Sequence, residues 1–234
     1  MKKSIFAFTL AVVISFLAAV GLCFRALVGA QAVSAFDTGM KVVVDAGHGG
    51  IDGGVVGCTS GVKESDLNLA IAFRLQSELT DMGFEVVMTR KTQAGLYDTT
   101  AKGFKKRDMQ KRKEIIEKAD PDLVISLHQN YYPSQKTRGG QVFYSKGQET
   151  GKALALAVQE KVNGLYADVG VKSRKATAEE YFILQCSDCP SIIVECGFLS
   201  NPADEKLLMT ERWQGEIARS VAAGVVAFLS GSAA

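Results

Sequence analysis

Residues 41–50 read KVVVDAGHGG and join a run of valines to a glycine-rich turn that carries His48. Consecutive β-branched residues favour a strand, and the glycines favour its end. From residue 67 to residue 79, leucine or isoleucine recurs at every fourth position, which is the spacing of an amphipathic helix. Ser65 is predicted as the N-cap of this helix and Gly83 as its terminator. A strand, a turn and a helix in this order open an α/β fold.

The rest of the chain continues this alternation of strands and helices. Further strands are predicted at residues 85–89, 122–127, 141–144, 181–184 and 191–194, and further helices at residues 107–119, 148–165 and 212–229. We therefore predict one α/β domain over residues 40–231. Its twisted, mostly parallel or mixed sheet has about six strands, with helices on both faces.

The amino-terminal segment has a different composition from the domain. Residues 5–23 carry no charge and are flanked by Lys2, Lys3 and Arg25, which is typical of an export signal. The apolar run approaches the ~20 residues that span a bilayer, yet small residues at 30–35 offer a cleavage site. Residues 1–39 are thus predicted to be a signal peptide or a membrane anchor plus a short linker, with the domain exported.

The net charge of the domain excludes one class of function. The chain holds 27 basic and 25 acidic residues. Lys2, Lys3, Arg25 and Asp37 lie in the first 39 residues, which leaves 24 of each sign in the domain. A neutral domain lacks the basic surface of a nucleic-acid-binding protein, so no nucleic-acid partner is expected.

The chain has only two histidines, and both follow predicted strands. His48 follows the valine run and His128 follows the strand at 122–127. Sites in α/β sheets form at the carboxyl ends of strands, and a catalytic zinc often takes two imidazoles and a carboxylate. Each histidine taken alone is more often a core-edge residue than a ligand, but the shared placement favours a metal site.

The third ligand has three candidates near His48. Glu64 stands just before the predicted helix and can fold back over His48. Asp66 lies in the first helical turn, where an acidic residue also favours the helix dipole. Asp52 is equally typical of a turn. The spacing favours Glu64 but leaves the other two open.

Glu195 ends the apolar strand predicted at residues 191–194. A buried carboxylate is costly unless it is paired or faces a site. Next to a metal it would act as general base and then as general acid. The alternative is an ion pair with a neighbouring arginine or lysine.

Four separated motifs carry a resemblance to a known family. They are Asp45-Ala46-Gly47-His48-Gly49-Gly50-Ile51-Asp52-Gly53-Gly54, Met88-Thr89-Arg90, Ile125-Ser126-Leu127-His128-Gln129-Asn130 and Val194-Glu195-Cys196-Gly197-Phe198-Leu199-Ser200-Asn201, and Glu64 lies between the first two. Over about residues 40–230 the chain resembles the zinc-dependent N-acetylmuramoyl-L-alanine amidases. The family cleaves the amide between the lactyl group of N-acetylmuramic acid and L-alanine in peptidoglycan.

The resemblance assigns a role to individual residues. It implies one zinc ion held by His48, Glu64 and His128, with Glu195 as the catalytic carboxylate. It also implies substrate contacts for Asn130 and Arg112, the latter with a structural contact as the alternative. From the residues themselves, Asp45 or Asp52 is a candidate to orient a ligand histidine, and each is as readily a turn residue.

Residues 133–136, Gly140-Gln141 and Phe143-Tyr144 resemble the sporulation and germination branch of the family. This branch helps to form muramic lactam in the spore cortex. It implies action at the outer face of the cytoplasmic membrane, in the cell wall or in the forespore intermembrane space. A regulatory protein partner and, if residues 1–39 stay attached, a membrane contact are also implied.

Two residues depart from the family pattern. Ala46 stands where proline is usual, and Gln129 stands where a small or apolar residue is usual. Neither change removes a ligand, so activity is expected to survive.

Two rival functions remain open from the sequence. Cys186 and Cys189 form a C-x-x-C motif in an exported chain, which suggests a thiol–disulfide enzyme. The motif precedes a strand, whereas a redox pair normally opens a helix. With Cys58 and Cys196, four cysteines allow three full disulfide pairings. The second rival is a non-catalytic or partner-regulated peptidoglycan-binding module.

Overall fold

The computed structural model describes residues 38–231. The predicted signal or anchor falls almost wholly outside this range. Within it, no helix combines the length and the apolar character that crossing a bilayer requires.

Six strands and five α-helices make up the described domain. The strands are β1 Lys41–Ala46, β2 Glu85–Met88, β3 Leu123–Asn130, β4 Gln141–Ser145, β5 Thr177–Glu179 and β6 Ser191–Phe198. The helices are α1 Glu64–Asp81, α2 Phe104–Ala119, α3 Glu149–Ala167, α4 Pro202–Leu208 and α5 Glu211–Leu229, with a 3₁₀ helix at Phe182–Gln185.

The strands form one sheet in the order β2-β1-β3-β6-β4-β5. Strands β2, β1, β3 and β6 are mutually parallel, whereas β4 runs antiparallel to β6. The predicted α/β class with a mixed sheet of about six strands is therefore confirmed. The carboxyl ends of β1, β3 and β6 meet at one edge, where His128 lies in register with Glu195.

Helices cover both faces of the sheet, as predicted. Alternate strand residues enter two separate apolar clusters, because successive side chains point to opposite faces. Val42, Val44 and Ile125 pack with α1, α3 and α5 in the larger cluster. Val43 and Val124 pack on the other face with Ile116 of α2 and the 3₁₀ helix.

The predicted N-cap of α1 is wrong. The helix begins at Glu64 with Lys63 as N-cap, and Ser65 is buried inside its first turn. The preceding loop supplies the acceptors instead. The amides of Glu64 and Ser65 donate to the carbonyls of Val55 and Gly53, at 2.8 and 3.1 Å. A side-chain cap is unnecessary because these first amides are already satisfied.

The strand predicted at 181–184 is also wrong. Residues Phe182–Gln185 form the 3₁₀ helix, and the neighbouring strand is β5 at Thr177–Glu179. A helical turn buries Ile183 and Leu184 while leaving Phe182 48% exposed. Short apolar runs fit a strand and a helical turn equally well by pattern alone.

Two further features differ from the prediction. Helix α4 was not predicted, and several strands continue beyond their predicted ends. Asn201 caps α4 by accepting from the amides of Ala203 and Asp204, with Pro202 in the first turn. Strands β3 and β6 continue through His128 and Glu195. Both residues therefore lie within strands rather than in the loops after them.

A buried ion pair joins α2 to the end of β1. Asp45 and Arg112 are each 1% exposed, and Arg112 Nη1 lies 2.5 Å from Asp45 Oδ1. Arg112 Nε donates to Asp108 at 2.7 Å. Burial raises the pKa of Asp45, but Arg112 and the hydroxyls of Ser126 and Thr89 outweigh it and hold the pKa at about 2. Asp45 is therefore a charged, fully satisfied core residue.

The first prediction concerns Arg112→Met, which leaves the Asp45 carboxylate buried without its counter-charge. We expect the free energy of unfolding at pH 7, measured in urea, to fall by about 3–5 kcal/mol. The loss should be smaller at pH 4, because an unpaired Asp45 takes up a proton there while the wild-type pair stays ionised. Arg219→Met, which removes exposed pairs to Glu78 and Glu216, should cost under about 1 kcal/mol. Equal losses in the two variants would contradict this role for Arg112.

Candidate active site

Two imidazoles and one carboxylate converge at the carboxyl edge of the sheet. Ligand-type atoms of His48, Glu64 and His128 all lie within 4.8 Å of one another. Oε1 of Glu64 is 3.3 Å from His48 Nε2 and 2.9 Å from His128 Nδ1. Within residues 38–231 no other group of three His, Cys, Asp or Glu side chains is so placed. Two imidazoles and a carboxylate form a donor set that suits a catalytic zinc.

Glycines permit this close approach of the three side chains. A Cβ on Gly47 would collide with the His128 ring, and one on Gly54 would collide with the Glu64 carboxylate. Gly54 also adopts a φ of +68°, a left-handed conformation that favours glycine. The glycine-rich loop is thus needed for packing around the candidate ligands.

His48 is held in a strained backbone conformation. Its φ is +61°, which is uncommon for a residue with a side chain. Nη2 of Arg112 donates to the His48 carbonyl at 2.6 Å, and His48 Nδ1 lies 3.0 Å from Asp52 Oδ2. Burial lowers the pKa of His48, but Glu64 and Asp52 outweigh it and raise the pKa to about 8. The backbone and the ring of His48 are therefore fixed by separate contacts.

A second buried arginine supports the same turn. Arg90 Nε donates to the Ala46 carbonyl at 2.8 Å, and its Nη2 donates to the carbonyls of Gly47 and Ser65, at 3.0 and 2.8 Å. Arg90 thereby ties the His48 turn to the start of α1. Sequence reasoning included Arg90 in a motif without assigning it this role.

The Glu64 carboxylate is surrounded by donors. The amides of Val55 and Gln129 donate to it at 2.8 and 3.0 Å, and Asn68 Nδ2 donates at 3.2 Å. Gln129 Nε2 in turn donates to Asn68 Oδ1 at 3.1 Å. Burial raises the pKa of Glu64, but His128 and His48 outweigh it and hold the pKa well below its usual range. Sequence reasoning missed Asn68, although its position four residues after Glu64 in α1 indicates a shared helix face.

The structure separates the three candidates for the third ligand. Glu64 lies next to both histidines. Asp52 instead contacts the other ring nitrogen of His48, Nδ1, and also pairs with Lys105 Nζ at 3.1 Å. Asp66 does not join the cluster. Of the two candidates to orient a ligand histidine, Asp52 takes this position, and Asp45 contacts Arg112 instead.

A buried glutamate holds the loop that leads into Glu64. Glu205 of α4 accepts from the amides of Thr59 and Ser60 at 2.8 and 2.7 Å, and from the Ser60 hydroxyl at 2.5 Å. It also accepts from the Cys58 thiol at 3.2 Å. Sequence reasoning missed Glu205 because its partners lie about 145 positions away.

Glu195 faces the three-residue cluster from β6 and is held differently from Glu64. Its Oε2 is buried and has no hydrogen-bond partner among residues 38–231. Burial and the charge of Glu64 raise the pKa of Glu195 to about 7, although His128 opposes the shift. A dication at the cluster would lower this pKa. The charged groups acting on Glu195 belong to the cluster, so the alternative of an arginine or lysine partner has no support.

An apolar cavity of about 280 Å³ lies beside Glu195 and His128. Its other walls are formed by side chains of α2, of the 3₁₀ helix with its N-cap Tyr181, and of β6, namely Met109, Tyr181, Phe182, Ile183 and Ile193. Sequence reasoning missed this cavity because it had assigned the 3₁₀ segment to a strand.

The two substrate contacts implied by resemblance differ in their surroundings. Asn130 ends β3, two residues beyond His128, and accepts from the Tyr131 amide at 2.8 Å. It stays a prediction as a substrate contact. Arg112 is buried, with its guanidinium engaged by Asp45, Asp108 and main-chain carbonyls. Its burial and these contacts favour the structural alternative, and a substrate contact of Arg112 stays a prediction.

The four cysteines within residues 38–231 lack the features of a redox centre. Cys58, Cys186, Cys189 and Cys196 are all free thiols. Burial raises the pKa of Cys186 to about 11 and also raises that of Cys189. A redox enzyme needs a lowered thiol pKa, so the geometry gives no support to the thiol–disulfide function.

This fold and edge arrangement define a class of protein: an α/β domain with a metal-type His-Glu-His site and a free carboxylate beside it, which is the arrangement of a metal-dependent hydrolase. The family model described as N-acetylmuramoyl-L-alanine amidase (Amidase_3) matches residues 42–227. The chain therefore belongs to the N-acetylmuramoyl-L-alanine amidase family.

Individual relatives agree with this membership. The chain is 31% identical over 196 residues to a germination-specific N-acetylmuramoyl-L-alanine amidase of Bacillus subtilis, covering 82% of this chain and 81% of the relative. It is 28% identical over 231 residues to the amidase AmiA of Escherichia coli, covering 80% of this chain and 75% of the relative.

A solved structure agrees as well. The CwlD amidase of Clostridioides difficile, in complex with the GerS lipoprotein, superposes with a TM-score of 0.78 at 31% identity, covering 82% of this chain and 99% of that one. The predicted enzyme class is confirmed: the chain is an N-acetylmuramoyl-L-alanine amidase that acts on peptidoglycan.

The second prediction concerns Asp52→Asn, which weakens the contact that orients His48. We expect metal affinity to fall by about 10- to 100-fold, as is typical when the partner of a metal-binding histidine is removed. Competition with a chromophoric chelator measures this affinity. Asp66→Asn is the matched control in the same region and should leave it unchanged. A similar loss in both variants would show that Asp52 has no special role.

Proposed function

We propose that the enzyme binds a single zinc ion through His48, Glu64 and His128 and cleaves the bond between the lactyl carbonyl and L-alanine. The observation that supports this most strongly is the convergence of these three side chains within 4.8 Å beside the unpartnered Oε2 of Glu195. When bound, zinc would polarise the substrate carbonyl and lower the pKa of a water molecule.

In this proposal Glu195 moves one proton during hydrolysis. Its carboxylate accepts a proton from water as the water oxygen forms a bond to the lactyl carbonyl carbon. The bond between that carbon and the alanine nitrogen then breaks, and Glu195 returns the proton to the departing nitrogen. Burial raises the pKa of Glu195 to about 7, and a bound dication would lower it, so the carboxylate would be charged near neutral pH and able to accept the proton.

The surroundings of Glu64 and Glu195 support these separate roles. Glu64 accepts three hydrogen bonds from Val55, Gln129 and Asn68, which fix its orientation and favour the charged form. Glu195 keeps one buried oxygen without a partner. A carboxylate held by several donors suits a ligand, whereas a free oxygen is able to accept a proton from substrate water.

We further propose that the enzyme acts on spore cortex, where removal of the stem peptide precedes muramic lactam formation. The similarity to a germination-specific amidase and to the CwlD amidase supports this setting. Residues 1–39 would deliver the domain outside the cytoplasm, to the outer membrane face, the cell wall or the forespore intermembrane space. The solved complex of CwlD with a lipoprotein supports a regulatory protein partner for this enzyme too.

The third prediction tests the role of Glu195. In Glu195→Gln, turnover of muropeptides should fall by about 10²- to 10⁴-fold, because proton transfer is lost. Zinc content, measured by mass spectrometry of the native protein, should stay at one ion per chain. Mass spectrometry of the muropeptide products detects the released stem peptide.

The exposed Glu180→Gln is the matched control and should keep wild-type turnover. Cleavage at the wild-type rate by Glu195→Gln would remove Glu195 from the mechanism. Intact muramoyl-alanine bonds after incubation with the wild-type enzyme, with and without zinc and a partner, would defeat the proposed reaction.

A further inference from the structure

The domain has a second cavity, a basic cleft of about 420 Å³, away from the one beside Glu195. It lies between the turn that leads into β4 and the segment that joins α3 to β5. Lys136 and Arg138 line one side, and Lys172 and Arg174 line the other. We refer to it as the basic cleft.

The basic cleft has an excess of positive charge within a neutral domain. Arg138 forms an ion pair with Asp204 at 2.8 Å. Lys136 and Lys172 are exposed, and no ion pair within residues 38–231 includes either of them. The four cations thus face one carboxylate, and the lysines are available to an anion from solvent.

The two arginines form a rigid wall for the basic cleft. Arg174 Nε donates to the Arg138 carbonyl at 2.8 Å, and its guanidinium carbon lies 4.7 Å from the centre of the Phe198 ring. Asp204 accepts from both Arg138 Nε and the Gly139 amide, each at 2.8 Å. These contacts fix the positions of both guanidinium groups in the cleft wall.

The basic cleft opens at the sheet edge that carries Glu195. Gln141, the first residue of β4, lies in register with Glu195 on β6. Arg174 Nη1 donates to Gln141 Oε1 at 3.3 Å. Adjacent strands are about 4.8 Å apart, so Gln141 lies about one strand spacing from Glu195, and Arg174 lies one side-chain contact beyond Gln141. An extended peptide advances about 3.3–3.6 Å per residue, so a stem peptide of a few residues is long enough to run from Glu195 towards the basic cleft.

The chemistry of the substrate identifies the part that fits. The glycan strand carries no charge once the lactyl carboxyl is in amide linkage, whereas the stem peptide beyond L-alanine carries free carboxylates. We propose that the basic cleft binds these carboxylates and makes the enzyme prefer acidic stem peptides to amidated ones. This inference deepens the proposed function, because it concerns the departing peptide in the same reaction.

The fourth prediction uses Lys136→Gln combined with Lys172→Gln, which removes the two unpaired cations and leaves the arginine wall intact. Fluorescence anisotropy with a labelled free stem peptide measures binding without turnover. We expect the double variant to bind the acidic peptide roughly 5- to 30-fold more weakly at low salt. Binding of the same peptide with its carboxylates amidated should not change. Added salt should reduce the difference, since the lysines are exposed.

The control is Lys118→Gln combined with Lys152→Gln, which changes the net charge equally outside the cleft and should bind like the wild type. With muropeptides as substrates, the cleft variant should show a raised KM and an unchanged kcat. Equal weakening by both double variants, or no preference of the wild type for the acidic peptide, would overturn the proposal. If the wild type binds a glycerol-phosphate oligomer more tightly than the stem peptide, the cleft serves phosphate-bearing polymers. That result would also overturn the proposal.

Peptide binding and amide cleavage are separate readouts. Loss of wild-type turnover would defeat the proposed reaction while the peptide measurement still decides the role of the cleft. If the wild type cleaves its substrate and the cleft variant binds the acidic peptide as tightly as the wild type, only the cleft proposal fails.

Discussion

The ion pair between Asp45 and Arg112 is the constraint on which the site depends most. Both side chains are buried at the end of β1, and the same guanidinium reaches the carbonyls of Ala46 and His48. It thereby holds His48 in a left-handed conformation, with its ring near Glu64. Such strain persists only where surrounding contacts maintain it. One interaction links the stability of the domain to the geometry of the candidate metal site.

The rest of the site lies on regular elements rather than on flexible loops. His128 and Glu195 are in register on adjacent strands, and Glu64 is the first residue of α1. Strands in a packed sheet move little, so the distance between the His-Glu-His cluster and the Glu195 carboxylate is fixed by the fold. Glu64 accepts hydrogen bonds from several donors, which favour its charged form. Glu195 Oε2 has no donor within residues 38–231, so the two buried glutamates differ in their tendency to take up a proton.

Local sequence patterns predicted most of the fold, because apolar periodicity reflects burial directly. The same reasoning identified His48, His128 and Glu195 through their positions at strand ends. It misplaced the start of α1, since the acceptors for the first helical amides come from a loop about ten residues away. It left the role of Arg112 open, because the partner Asp45 is 67 positions distant. Contacts between residues so far apart in the chain form only when the sheet assembles, so no local sequence pattern predicts them.

X-ray absorption spectroscopy on the zinc-loaded domain tests the central claim most directly. The proposed function predicts one zinc site with two imidazole nitrogens at about 2.0–2.1 Å and oxygen ligands at about 2.0–2.2 Å, without sulfur. The two nitrogens must come from His48 and His128, because the chain has only two histidines. A shell with fewer than two imidazoles, or with a thiolate at about 2.3 Å, would contradict the account.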